Sequence, residues 1–428
     1  MTPQKHSSVI AERTGVPAIS TLMQLALGNP DLVSLAAGFV DQQSLPIDLV
    51  AKAVNELARS RFEGQRGLQY GTTQGDLSLR KHLIRMLEKN EGVPEGEFQH
   101  ALPRTVVTTG SQQLLYLIAE ALLDPGDIVL VESPTYFVYL GVLETRGVEA
   151  IGVETDSGGL RLDKLEATLS DLEAQGRLDR VKLIYTVSEH SNPSGVSLAA
   201  DRRAPLVELA RRWSKLRSIY ILEDAAYRGL TYDGTEPSSV WHTDKTEETV
   251  ILARTFSKTF SPGLKVGWGI LPPSLLEPVL RLKGNHDFGT GNFSQVLLDH
   301  LINEGHYEAQ IQHLVKIYRS KRDALLGALE TQFRSFEGLV SWTVPQGGLY
   351  VWLTLPQDLD SGPEGPLFRR CLSEGVVYVP GAYAFAAQPA PVPTNHARLC
   401  FGVPQEVDLV EGIRRLSVAL ADCLDPVA

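Results

Sequence analysis

Amines, hydroxyls and one carboxylate stand at spacings in this chain that suit chemistry on a phosphate-bearing small molecule. In Arg254–Trp268 (RTFSKTFSPGLKVGW), Lys258 follows a strand-like run, flanked by Thr255 and Ser257, with Lys265 seven residues on. Hydroxyls and cations beside one lysine suit an amine nucleophile held next to a phosphate. In Thr108–Leu122 (TTGSQQLLYLIAEAL), Gly110 turns the chain and Ser111 and Gln112 open an amphipathic helix. The free N–H groups and dipole of such a terminus attract anions. Leu183–Gly195 (LIYTVSEHSNPSG) ends a strand on Asn192-Pro193, and Ser218–Leu230 (SIYILEDAAYRGL) places Asp224 and Tyr227 just beyond another. Open α/β sheets bind ligands at such strand ends. Taken singly, each piece also has an ordinary reading: a solvated loop lysine, a helix cap, a turn, and a cap with an aromatic.

The elements that position these residues follow from hydrophobic patterning. Strand-like runs fall at Thr105–Thr109, Ile128–Glu132, Val181–Val187, Ser218–Leu222, Val250–Ala253 and Val266–Ile270. Helical patterns lie between them at Ser111–Leu123, Tyr136–Arg146, Leu162–Gln175 and Asp201–Leu216. Continuous Val/Ile/Leu runs are what parallel strands buried on both faces require. The alternation predicts an α/β architecture, a mostly parallel sheet with helices on both sides. From about residue 295 the pattern changes to one long helical region, Phe293–Gln332, then strand-like Leu339–Thr343 and Tyr350–Leu355, which predicts a second lobe of α+β type. The first 45 residues show no partner strands of their own and read as an arm. The run at 386–394 (AAQPAPVPT) reads as a Pro-rich surface loop.

Composition bounds the class. Of 428 residues, 43% are hydrophobic and the net charge is −11, which excludes extensive disorder and argues against nucleic-acid or anionic-membrane partners. Cys371, Cys400 and Cys423 form no CxxC pair and read as buried thiols of a reducing compartment. The N-terminus lacks a signal-type apolar core, and no apolar run is long enough to span a bilayer. The expectation is a soluble cytoplasmic protein without a metal site.

In their order and residue types the four pieces resemble the fold-type I pyridoxal-phosphate enzymes, in the class I/II aminotransferase group. Within it they are most similar to the aminoadipate and kynurenine aminotransferase branch. The resemblance also covers LVSLAAGFVDQQSLP (Leu32–Pro46), LQYGTTQG (Leu68–Gly75), PQGGLYVWL (Pro345–Leu353) and ARLCFG (Ala397–Gly402). It implies three divisions: 1–47 as arm and part of the small domain, 48–295 as the large cofactor-binding domain, and 296–428 as the small C-terminal domain. It implies pyridoxal 5′-phosphate as cofactor, bound covalently by Lys258, which then shuttles a proton between substrate Cα and cofactor C4′. By the same resemblance Asp224 pairs with the pyridine nitrogen, Tyr227 and Asn192 hydrogen-bond the 3′-oxygen, and Tyr136 stacks on the ring. Ser111, Gln112, Thr255, Ser257 and Lys265 hold the phosphate, joined by Tyr70 from the other subunit of a homodimer. Arg398 forks the substrate α-carboxylate, with Gly38 and Asn192 beside the substrate.

The chain departs from the family pattern at four places. Thr255 stands where Ser is usual, and Lys265 where Arg is usual. Ala225-Ala226 replaces an acidic residue and Pro. Ser188-Glu189-His190 replaces Pro and two non-ionisable residues, and its two ionisable groups are expected to point to solvent rather than to the cofactor. The function expected is amino transfer between an α-amino acid and a 2-oxo acid. Two alternatives compete: oxidative, eliminating or decarboxylating chemistry on the same cofactor, and a ligand-sensing protein without catalysis. A regulator carrying a helix-turn-helix domain is disfavoured, because the family pattern begins by about residue 20 and the charge is wrong for DNA.

Overall fold

The computed structural model describes residues 7–29, 31–388 and 391–424. Its strands in chain order are β1 (Val33–Ser34), β2 (Thr105–Thr109), β3 (Ile128–Ser133), β4 (Glu149–Asp156), β5 (Gly159–Leu160), β6 (Val181–Thr186) and β7 (Tyr220–Asp224). There follow β8 (Val250–Thr255), β9 (Val266–Ile270), β10 (Ser341–Trp342), β11 (Tyr350–Thr354), β12 (Val376–Val377), β13 (Val379–Pro380) and β14 (His396–Cys400). The apolar runs of β3, β6, β7 and β8 are buried nearly throughout, as strands covered on both faces must be. They lie in one eight-stranded sheet of order β2-β9-β8-β7-β6-β3-β4-β5, parallel except for β9 and β5. This is the α/β arrangement, a mostly parallel sheet covered by helices, that the sequence pattern predicts. Helices Gly110–Leu122, Phe137–Arg146, Leu162–Ala174 and Ala200–Trp213 cover the sheet within a few residues of expectation. Chain reversals after β2, β6, β7 and β8 therefore gather at one edge, and all four chemical segments sit there.

A second, four-stranded sheet has the order β10-β11-β14-β13 and is antiparallel. Its register sets Trp352 opposite Arg398 and Tyr350 opposite Cys400. Opposed residues share a face, so Tyr350, Trp352, Arg398 and Cys400 lie on one side of this sheet.

Three expectations need correction. The helical region Phe293–Gln332 is two helices, Asn292–Asn303 and His306–Gln332, because Gly305 takes a left-handed φ of 72° between them. The N-terminal arm has a partner strand after all, since Val33–Ser34 pairs in parallel with Val376–Val377. The strand Leu339–Thr343 shrinks to Ser341–Trp342. Residues 389–390 of the Pro-rich run lie outside the described residues, as do 1–6, 30 and 425–428; Gln388, within that run, bridges to Ile151. Among the described residues no helix is long and apolar enough to cross a membrane.

Candidate active site

Asp224 ends β7 and is buried, and Tyr227 follows it in the next turn, also buried. Tyr185 on the neighbouring β6 donates to Asp224 Oδ2 at 2.9 Å. The second oxygen, Oδ1, is buried with no hydrogen-bond partner among the described residues. Desolvation dominates this carboxyl and raises its pKa to about 6, against the Tyr185 hydrogen bond that lowers it. A carboxylate in that position calls for a proton-bearing or cationic neighbour.

Lys258 lies three residues beyond the end of β8, and its Nζ donates to the Gly38 carbonyl at 2.7 Å. Burial lowers the amine's pKa to about 8, helped by the positive charges of Arg398 and Lys265. The amine is thus partly neutral near physiological pH, as a nucleophile or base must be.

The oxyanion-binding elements meet through a glycine. Thr255 pairs across the sheet with Gly267. A Cβ on Gly267 would lie 2.3 Å from the Gly110 carbonyl carbon and 2.4 Å from Ser111 N, so only glycine lets β9 pass under this turn. That contact brings the N-terminus of helix Gly110–Leu122, with Ser111 and exposed Gln112, beside the Thr255 loop. Thr255 Oγ1 lies 3.0 Å from Ser257 Oγ and accepts from Ser257 N at 3.2 Å. Lys265, exposed, closes the same loop in a left-handed conformation with φ of 54°.

On the other side of the cleft stands Arg398, 1% exposed. Its Nη1 donates to Asn192 Oδ1 at 2.9 Å and its Nη2 to the Ala36 carbonyl at 2.6 Å, while Nε is buried without a partner among the described residues. The guanidinium lies 4.4 Å from the centroid of the Tyr350 ring. Gly38 is kept open by its neighbours, since a Cβ there would meet Tyr350 Oη at 2.9 Å. Tyr136 precedes helix Phe137–Arg146, and burial beside Asp224 and Tyr350 pushes its phenol up.

Two parts of the expected site behave differently from this cluster. Tyr70 is 84% exposed, its ring edge-on to Phe288 at 5.7 Å, and faces outward rather than into the cleft of its own chain. The Ser188-Glu189-His190 segment is fully buried, which overturns the expectation that it points to solvent. Glu189 Oε1 accepts from Arg203 Nη1 and from Arg228 Nη1, each at 2.9 Å, and Ser188 Oγ donates to Oε2 at 2.5 Å. Desolvation alone would raise the Glu189 carboxyl, but the two guanidinium groups hold it well below the usual range. His190 Nε2 lies 2.8 Å from Thr231 Oγ1, and burial lowers its pKa.

Tyr185, Tyr350 and Gly267 carry no chemical signal of their own in the sequence. No alternation marks the two tyrosines, because β6 and β11 are buried almost throughout; only the folded sheets set Tyr185 beside β7 and Tyr350 on one face with Arg398.

The family model described as aminotransferase class I and II matches residues 30–416. The chain is 33% identical over 421 residues to the aromatic-amino-acid aminotransferase 1 of Thermococcus litoralis, covering 98% of this chain and 95% of the relative. It superimposes on a Pyrococcus horikoshii kynurenine aminotransferase, solved with PMP, with TM-score 0.88, 33% identity and 98% coverage of each chain. An α-aminoadipate aminotransferase from Thermus thermophilus, complexed with N-(5′-phosphopyridoxyl)-L-leucine, matches with TM-score 0.83, 28% identity and 98% coverage of each chain.

Proposed function

This chain belongs to the class I and II aminotransferase family, and we propose that Lys258, Asp224 and Arg398 divide the work of its site. It is a transaminase moving an amino group between an α-amino acid and a 2-oxo acid, with pyridoxal 5′-phosphate as cofactor. The observation that carries the assignment of residues is the unpartnered, buried Oδ1 of Asp224. A protonated pyridine nitrogen supplies the hydrogen bond and the positive charge that this oxygen lacks, so the residues fit the cofactor.

When bound, the cofactor supplies an electron sink for the charge released as the substrate Cα–H bond breaks. Lys258 would hold it covalently, and its Nζ would carry the proton taken from the substrate Cα. Asp224, held in place by Tyr185, would keep the ring nitrogen protonated. Tyr136 would pack on the ring, and Asn192 and Tyr227 would hydrogen-bond its 3′-oxygen. Ser111, Gln112, Thr255, Ser257 and Lys265 would hold the phosphate. Arg398 would receive the α-carboxylate, with Gly38 and Asn192 beside the substrate.

The burial of Glu189 and His190 removes the feature that kept other reaction types open, because both side chains are committed to Arg203, Arg228 and Thr231. We further propose a cytoplasmic homodimer. Phe62, Leu68, Tyr70 and Phe288 are each more than 60% exposed on one chain, an apolar surface that a second copy would cover. In such a dimer Tyr70 would reach the partner's phosphate site. The donors to screen first are those in the relatives' names: aromatic amino acids, kynurenine and α-aminoadipate.

Borohydride reduction of the cofactor-loaded protein, followed by peptide mapping, tests the assignment. The label is expected on Lys258; a label on Lys265 or Lys283 overturns it.

A further inference from the structure

Tyr350 and Tyr227 form a buried phenol pair, and the division of work among Lys258, Asp224 and Arg398 leaves their shared hydrogen bond without a role. Tyr227 Oη donates to Tyr350 Oη at 3.1 Å, and the rings meet edge to face at 5.6 Å. Both residues are almost wholly buried, Tyr350 at 1% exposure and Tyr227 at 4%. Tyr350 cannot drift: its ring seats the Arg398 guanidinium at 4.4 Å, and its hydroxyl abuts Gly38. Each phenol carries one proton and can accept another hydrogen bond. While Tyr227 gives its proton to Tyr350, it has none left for a third group. If Tyr350 becomes the donor, the same two oxygens stay where they are and the Tyr227 proton is freed.

We infer that Tyr350 is a positioning residue that orients the Tyr227 proton: by donating to Tyr227 Oη it turns Tyr227 into a donor toward the cofactor's 3′-oxygen. The inference rests on the proposed assignment of the cofactor to this site. Hydrogen bonds in a chain strengthen one another, so this relay makes Tyr227 a stronger donor and the oxygen it faces less basic. No proton leaves the pair; one hydrogen bond reverses and one forms.

The test is the absorbance titration of the loaded holoenzyme, which reads the protonation midpoint of the bound chromophore without turnover. Tyr350 faces Tyr227, Arg398 and Cys400; Tyr227 also faces Tyr136; the Lys258 amine faces Arg398, Lys265 and Cys400. All of these stay unchanged in Tyr350→Phe, which keeps the ring under Arg398. In Tyr350→Phe the Tyr227 proton still reaches the 3′-oxygen, but without the second hydrogen bond that strengthens it. That oxygen is then more basic, and the midpoint should rise by a fraction of a pH unit. Site-specific 3-fluorotyrosine at position 350, a more acidic phenol of nearly the same shape, should lower it. In a Tyr227→Phe background neither change should move the midpoint. An unmoved midpoint, or equal shifts in both backgrounds, overturns the inference. Failure of the wild-type protein to carry the label on Lys258 would instead strike the cofactor assignment.

Discussion

Asn192 Oδ1 receives Arg398 Nη1 at 2.9 Å, joining residues 206 positions apart across the cleft. One comes from the loop after β6 of the large sheet and the other from β14 of the small one. With Ala36 holding Nη2 and Tyr350 beneath the plane, Arg398 is aimed before any substrate arrives. Preorganisation of this kind lowers the ordering cost of binding. Its Nε, buried without a partner among the described residues, is the guanidinium nitrogen that no protein group yet engages.

Arg398→Lys should therefore lower kcat/KM for every amino acid tested. A lysine is a compact point charge without the planar fork, so it cannot hold Asn192 and Ala36 while presenting a bidentate edge to a carboxylate. The loss should be about 2–5 kcal/mol, the range for a disrupted desolvated charge pair. Cofactor affinity, measured by absorbance titration, should barely change. Unaltered amino-acid kinetics would mean that the carboxylate is held elsewhere.

The lowered pKa of Lys258, about 8, predicts how the apoprotein takes up its cofactor. Only the neutral amine attacks an aldehyde, so the attachment rate should climb with pH and level off above pH 8. At about pH 7 roughly a tenth of the amine is then reactive, several hundred times more than an ordinary lysine offers. Stopped-flow absorbance across the neutral and alkaline range reads this directly. A rate still climbing at about pH 10, where an ordinary lysine titrates, would show an unshifted amine.

Much of this arrangement was legible in the chain because a strand buried on both faces leaves an unbroken apolar run. The runs at Ile128, Val181 and Val250 are such strands, and the reactive residues follow them directly. The two-residue pairing of Val33–Ser34 with Val376–Val377 has no period to detect. The break at Gly305 was hidden because helical spacing continues on both sides of it. The fate of Glu189 was illegible for another reason. Its partners Arg203 and Arg228 are 14 and 39 residues away, and only the folded chain brings them to one carboxylate.

Those partners make Glu189 a matter of stability rather than specificity. Its folded pKa is depressed, so its contribution is fully present above the unfolded carboxylate value near about 4.3 and is lost as pH falls through the folded value. Glu189→Gln leaves two buried guanidinium groups facing a neutral amide and should cost about 3–5 kcal/mol near neutrality. Thermal melts should show the gap between wild type and variant narrowing once the pH drops below about 4. The ranking of amino donors should stay as it was. A changed ranking with an unchanged melting temperature would place Glu189 at the substrate.

The last prediction concerns Tyr70, whose exposed ring rests only edge-on against Phe288 in its own chain. A tyrosine that serves the partner's phosphate site can be separated from the lysine of its own site by mixing subunits. A Lys258→Ala chain keeps its tyrosine, and a Tyr70→Ala chain keeps its lysine. In a two-fold dimer of one of each, the first site joins the intact Lys258 to the intact Tyr70, and the second lacks both. Statistical mixing makes half the dimers hybrid with one good site each, so about a quarter of wild-type activity should return from two impaired parents. Subunit exchange is verified by tagging one chain. Hybrid dimers that form without recovering activity would confine each site to a single chain, and a monomer in sedimentation at assay concentration would remove the second site altogether.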